Sequence, residues 1–504
     1  MRNKGTGTWI HRRRVKSAGA PALTIGESAV TYDVLARRID RLANALAAGG
    51  VGHGDRIAYL GENHPSFLET FFAAGTLGAV FVPLNTRLAP PEVAFALSDS
   101  GATTLIHSAE LAALAAVGSD GTAVRRRIVA DGGGETEQLD DVIAAASPEH
   151  RDVTVDLADP AMIQYTSGTT GHPKGAVLSH ANIAWNSFNV LVDYELSAGS
   201  VALMISPMFH SAALGMGVLP VLLKGGNVVL EKHFDPQRVL ELIERHRVTS
   251  VSGVPTTFQM LCEHSAWAGT DLSSLRMLTC GGSAVPIRVL DAYEQRGLAF
   301  TGGYGMTETS PGASSLQPRY SRTKAGSAGL PHFFTDLRIA DESGRPLPAG
   351  QPGEIQIQGP NVIAEYWHRP EATAESCADD GWFRSGDVGY LDDDGFLFIS
   401  DRLKDMIISG GENIYPAEIE QIILELDAVG SVAVVGVPDE KWGEVPRAYV
   451  QLRTGYTLTE DQLRAHLAGR LARYKVPKTV VTVDDMPRTS SGKIRKRDLR
   501  TMAT

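Results

Sequence analysis

Residues 165–175 read YTSGTTGHPKG, a run of hydroxyls, glycines and one lysine with almost no bulk. Such a run suits phosphate. Glycines such as Gly168 let backbone N–H groups approach an anion, while Thr166, Ser167, Thr169 and Thr170 offer neutral donors. Lys174 adds a mobile positive charge. A Walker loop has Gly immediately before its Lys and Ser or Thr immediately after. Here Pro173 precedes Lys174 and Gly175 follows, so this is a different cradle. The strand-like AMIQY leads in and the apolar AVL leads out, which favours an anion site over the alternative of a plain surface turn.

A loop of this kind needs a scaffold, and the chain supplies one from residue 227 onward. NVVLEKHF reads as a strand over 227–234. Asp235 is an N-cap with Pro236 at the first helical position, and Val239, Leu240 and Ile243 share one apolar face. TSVSGVP reads as the next strand. Residues 277–280 follow as a third, then the turn GGSAVP, a helix over 286–295 and a strand ending at Gly303. Repeated strand and helix units imply an α/β fold with a helix-covered parallel sheet. After Asp387, GYLDDDGFLFISDR reads as a hairpin. A helix then opens at Pro416 with Ile419, Ile422 and Ile423 on one face, VAVVGV and RAYVQL read as strands, and residues 459–472 as a last helix. That final hundred residues is large enough for a small α/β domain.

Composition sets the outer limits. A chain of 504 residues, 43% apolar and 21% charged, is that of an ordinary globular protein with more than one folding unit. Its three cysteines, Cys262, Cys280 and Cys377, have no paired spacing, which points to a reducing cytoplasm and away from a disulfide framework or zinc site. The N-terminus lacks the apolar region of a secretory signal, and the longest apolar runs, such as residues 212–223, are too short to span a bilayer. A net charge of −11 argues against a nucleic-acid partner. From Lys404 onward there are 15 basic and 14 acidic residues, so the acidity lies almost wholly before that point. Two basic clusters, residues 12–14 and 125–127, are solvated faces or a weak peripheral contact with an anionic membrane. Oligomeric state is not legible.

Five further motifs follow the loop in order: PMFH at 207–210, GYGMTET at 303–309, WFRSGD at 382–387, DRLKDMIISGGENIYPAEIE at 401–420 and PRTSSGKIRK at 487–496. On these the chain resembles the adenylate-forming superfamily of acyl-CoA synthetases, aryl-CoA ligases, firefly luciferase and peptide-synthetase adenylation domains. The likeness covers residue 165 to the C-terminus, and the N-terminal third fits more loosely. It implies a large N-terminal domain of helix-covered sheets, 1–403, and a small mobile C-terminal α/β domain, 404–504, hinged near Lys404. The implied activity is that of an ATP-dependent acyl-CoA synthetase with Mg²⁺ and with coenzyme A as co-substrate, closest to bacterial medium- or long-chain fatty-acyl-CoA ligases.

Joining a carboxylate to a poor nucleophile requires a better leaving group, and attack on the α-phosphate of ATP supplies AMP against like-charge repulsion. The resemblance assigns the compensating charges. Glu308 becomes a magnesium ligand, Thr307 and residues 166–170 phosphate donors, and Lys174 stands near the leaving pyrophosphate. Tyr304, flanked by Gly305 and Met306, offers a flat surface for adenine, with Asp387 as ribose acceptor and Arg402 as second contact. Gly282 and Ser283 belong to the same ligand site. Lys493 bridges substrate carboxylate and α-phosphate. Rotation at Lys404 then removes it and presents Gly410 and Gly411 to the pantetheine thiol. His210 stands at the acyl entrance. Residues 201–223 contain no Asp, Glu, Lys or Arg, so Ser211, Ala212, Ala213 and Leu214, with Phe258, Ser283, Met306 and Ser310, suggest an uncharged pocket for a fatty or aryl acid. Gly302 departs from the polar residue that relatives commonly carry before GYG. The rival readings are a stand-alone adenylating ligase that passes its product to a carrier protein, an amine or nitrite, and a silent nucleotide-binding regulator.

Overall fold

A computed structural model of the chain describes residues 2–132, 137–166, 173–281, 285–402, 405–409, 412–439, 442–468, 470–471, 473–489 and 492–502, with backbone alone at 401–402 and 412–413. The phosphate-loop hairpin pairs Pro160–Thr166 antiparallel with Lys174–Ser179. It closes one edge of a six-stranded sheet whose other members are Val80–Leu84, Arg56–Leu60, Thr104–His107 and Arg126–Val129. Every residue of Val80–Leu84 is buried, as expected of a parallel strand covered on both faces. The helix Pro65–Leu77 supplies much of that cover, with Phe67 and Phe71 meeting Phe81 edge to face at 5.0 and 5.7 Å.

A nine-stranded sheet carries the alternating units read from the sequence. Its centre is the parallel run Phe300–Gly305, Met277–Gly281, Ser250–Gly253, Val201–Met204 and Asn227–Leu230. The helix Pro236–His246 is capped by Asp235, which accepts from the Arg238 N–H at 2.8 Å, and it buries Val239, Leu240 and Ile243. The expected strand over 227–234 is shorter than its apolar pattern. It ends at Leu230, because the Glu231 carbonyl is taken by Asn63 Nδ2 at 3.1 Å instead of a ladder partner. An antiparallel sheet of Asp336–Ala340, Gly353–Gln358, Phe383–Leu391 and Leu397–Arg402 contains the expected hairpin.

The chain then builds a small five-stranded sheet around the long hairpin Val429–Asp439 and Gly443–Leu452. The helix Pro416–Ile423 packs Ile419 and Ile423 onto it, with Ile422 partly buried. The last expected helix is also shorter, Glu460–Leu467, since Ala468 turns extended at ψ 132°. Among the described residues this small unit touches the large one at several points. Arg453 Nη2 lies 3.0 Å from Glu263 Oε1, and a Cβ placed on Gly492 would come within 3.4 Å of Val254.

Among the described residues no helix is long and apolar enough to cross a membrane. The apolar run 212–223 instead forms the π-turn Ala213–Val218 and the short helix Leu219–Lys224. Much of the two basic clusters is engaged internally: Arg13 donates to the Leu223 carbonyl at 2.6 Å, and Arg126 forks onto Glu137 at 2.9 and 2.7 Å.

Candidate active site

The strand Phe300–Gly305 delivers its motif into a single 3-10 turn, Thr307–Thr309. Glycine is obligatory at the approach. A Cβ on Gly305 would lie 1.8 Å from the Pro311 carbonyl oxygen, and one on Gly303 would lie 2.9 Å from that of Ser314. Gly302 is not forced in this way, since its Cβ would meet nothing closer than Leu316 at 3.5 Å. The turn buries Glu308, whose Oε1 accepts a hydrogen bond from Tyr366 Oη at 2.9 Å. Burial and the Glu308 carboxylate both push the Tyr366 phenol up, so it stays a donor.

Tyr366 arrives from far along the chain. Residues 365–367 run beside the hairpin strand Lys174–Ser179, with Val177 N–H bonded to the Glu365 carbonyl at 3.2 Å and Trp367 N–H to that of Gly175 at 2.7 Å. This brings Lys174 Nζ to 5.3 Å from the Tyr366 ring centroid. Lys174, Tyr366 and Glu308 therefore form one group. Thr166 Oγ1 donates to the Lys174 carbonyl at 3.4 Å, and Thr307 Oγ1 lies 3.4 Å from Ser211 Oγ.

A second group joins two sheets. Tyr304 Oη donates to Asp387 Oδ2 at 2.7 Å, across 83 residues of chain. Asp387 is buried, and its N–H donates to Ser385 Oγ at 3.0 Å. The third group is His210 with Lys493. His210 lies against Phe209 at 4.6 Å between centroids, and its pKa is lowered to about 4 by burial, then by Lys493 and by Arg87. Lys493 is held in a tight turn in which the Thr489 N–H donates to its carbonyl at 2.7 Å and its own N–H donates to Thr489 Oγ1 at 3.1 Å.

The charge-free stretch packs beside these groups. A Cβ on Gly215 would meet Pro311 Cδ at 2.6 Å and the Ser310 carbonyl at 3.0 Å, so the π-turn rests on the loop that carries Met306 and Glu308. Ala213, Leu214, Ser211 and Ser310 are buried there. Phe258 corrects the sequence reading. It is fully buried against Phe300 at 4.9 Å and Tyr293 at 5.8 Å, a core aromatic and not a pocket wall. Ser167, Gly168, Thr169, Thr170, Gly282, Ser283, Lys404, Gly410, Gly411 and the side chain of Arg402 lie outside the described residues. Sequence reasoning missed Tyr366 and Arg87. The only signal for Tyr366 was a pair of adjacent aromatics shortly before Pro370.

A family model described as AMP-binding enzyme matches residues 10–367, and one described as AMP-binding enzyme C-terminal domain matches residues 418–493. The chain belongs to the AMP-binding enzyme family. The ligase is 52% identical over 500 residues to a feruloyl-CoA synthase of Amycolatopsis sp, covering 99% of each chain. A Mycobacterium tuberculosis fatty acyl CoA synthetase structure superposes at a TM-score of 0.81 with 36% identity, over 99% of this chain and 98% of that one. The anthranilate CoA ligase AuaEII in complex with anthranoyl-AMP superposes at 0.93 with 25% identity, over 100% and 98%. The ligase is thus an AMP-forming acid–thiol ligase that consumes ATP and CoA and works through an acyl-adenylate. Its fold is the expected α/β arrangement of a large N-terminal and a small C-terminal part.

Proposed function

We propose that this ligase activates an uncharged aryl carboxylic acid, and that the three residue groups divide the work. The observation that carries the reading is a stretch, residues 201–223, with no Asp, Glu, Lys or Arg, which holds His210, meets Thr307 through Ser211 at 3.4 Å and packs Gly215 on the loop after Glu308. Nothing within that stretch pairs the second charge of a dicarboxylate or an amino acid, and an unpaired buried charge is strongly disfavoured, although Arg87 lies close enough to His210 to act on it. The 52% identity to a feruloyl-CoA synthase supports an aryl acid over a fatty one.

Tyr304 stacks on adenine and Asp387 accepts from the ribose hydroxyls. Thr166, Thr307 and Lys174 face the phosphates, and Lys493 bridges the substrate carboxylate and the α-phosphate. His210, neutral at physiological pH, closes the acyl entrance without adding charge. Glu308 is a buried carboxylate held in place by Tyr366, with hydroxyl oxygens at Thr307 and Thr166, an oxygen-only donor set that fits Mg²⁺. Bound there, Mg²⁺ supplies positive charge to phosphate oxygens. The small domain, residues 404–504, then turns about Lys404, withdrawing Lys493 and presenting Gly410 and Gly411 to the thiol of CoA.

Incubation with ATP, Mg²⁺, CoA and a panel of phenylpropenoic, benzoic, indolic, straight-chain, dicarboxylic and amino acids tests this, with adenylates and thioesters identified by mass. A substituted aryl acid should give the highest kcat/KM, with malonate and amino acids at background. A straight-chain acid as best substrate would overturn the aryl preference, malonate or an amino acid would overturn the pocket, and adenylate without thioester would overturn CoA as acceptor.

A further inference from the structure

We propose that His11, Asp40 and His150 form a binding site for a divalent transition-metal ion, Zn²⁺ by preference, on elements that carry none of the catalytic side chains. His11 projects from the helix Trp9–Ser17, Asp40 from the helix Tyr32–Ala48, and His150 from the loop that follows Leu139–Ala145. One ligand atom from each falls within 4.8 Å of the others. Asp40 Oδ1 is the common point, 2.8 Å from His150 Nδ1 and 3.5 Å from His11 Nε2. The two imidazole rings are 4.3 Å apart and tilted by 56°, so their nitrogens converge on that oxygen from different directions.

His11 is the decisive member. It is 8% exposed, and its Nε2 has no hydrogen-bond partner among the described residues although it faces a carboxylate. A buried ring nitrogen in that position is left costly unless something fills the gap. Two imidazole nitrogens and one carboxylate oxygen are the ligand set of a tetrahedral zinc site with its fourth position open. The opening here lies on the side of His150, whose side chain is 34% exposed.

The geometry is held in advance. Asn44, one turn beyond Asp40, donates to the carbonyls of Ser147 and Glu149 at 2.8 and 2.7 Å and accepts from Arg151 Nε at 2.6 Å, which fixes the loop on both sides of His150. Arg14 opposes a cation there, 3.7 Å from the other oxygen, Asp40 Oδ2. It is 41% exposed and also reaches Asp33, so it can swing outward when a cation arrives. Binding replaces the His150–Asp40 hydrogen bond: the imidazole takes the tautomer with its proton on Nε2, leaving the Nδ1 lone pair to the metal.

Metal-free full-length protein, dialysed against ZnCl₂ alone and assayed for bound zinc, decides the matter. Wild type should hold one equivalent more than His150→Gln or His11→Gln, with at least about 100-fold weaker binding in either variant. Zinc should raise the thermal midpoint of wild type and not that of His150→Gln, and Co²⁺ should give tetrahedral absorption bands only in wild type. Adenylation by His150→Gln should be unchanged. Equal zinc in wild type and His150→Gln overturns the proposal, and because His150 sits in a half-exposed loop, that variant decides alone if His11→Gln does not fold.

Discussion

Tyr366 places a phenol against Glu308 and lies beneath the ammonium of Lys174, so one side chain connects the carboxylate proposed to hold Mg²⁺ with the lysine proposed to face pyrophosphate. A hydrogen bond to a charged group is worth about 1.5–3 kcal/mol. Tyr366→Phe should therefore lower kcat/KM for adenylation by about 10- to 100-fold. CoA thioester formation from a supplied acyl-adenylate should hardly change. Pyrophosphate exchange and single-turnover thioesterification measure the two separately, and an equal fall in both would show that Tyr366 is merely structural. Lys493→Ala should show the same asymmetry more strongly, with a loss of about 10²–10³ in adenylation. Lys174 stands out in the sequence because it sits in a run of hydroxyls and glycines, whereas Glu308 and Asp387 are named only through the resemblance that their motifs carry. Tyr366 was not legible, since what gives it a role is a bridge to Ala176 across 190 residues of chain. Phe258 was misread because a single aromatic on one face of a helix looks alike whether it lines a pocket or fills a core.

The strand Phe300–Gly305 and the turn after it form an element whose glycines are not equivalent. Gly305→Ala drives a methyl into the Pro311 carbonyl and must displace the turn that carries Glu308, so a loss of about 1–3 kcal/mol in stability is expected. Gly302→Ala meets only ordinary contacts and should leave the urea midpoint unchanged or slightly raised, through lower unfolded-state entropy. A midpoint that fell equally in both variants would contradict this reading of the strand. At this scale element types were legible, because the alternation of apolar runs and capped helices is local. Element ends were not. The strand that stops at Leu230 and the helix that stops at Leu467 are both cut short by carbonyl partners and backbone turns that the apolar pattern does not encode.

The molecule as a whole should lose stability on mild acidification. His180 and His210 titrate near 4 in the fold against 6.5 when exposed, burial being the main cause for both. Between those values the unfolded chain binds protons that the native chain does not, so stability rises with pH across the window and is lost as pH falls through it. The full effect is of order 3 kcal/mol per histidine. Urea midpoints at pH 7, 6 and 5 should fall in that order, and a flat series would contradict the assignment. The small domain's grip on the large one obeys a different variable. Arg453 and Glu263 meet at 3.0 Å with both side chains partly in solvent, a pair worth up to about 1 kcal/mol that weakens as the Debye length shrinks from about 10 Å at 0.1 M salt to about 3 Å at 1 M. In the proposed two-orientation cycle, ionic strength becomes a dial on domain orientation: added salt should slow adenylation while sparing thioesterification, and Glu263→Gln should flatten that dependence.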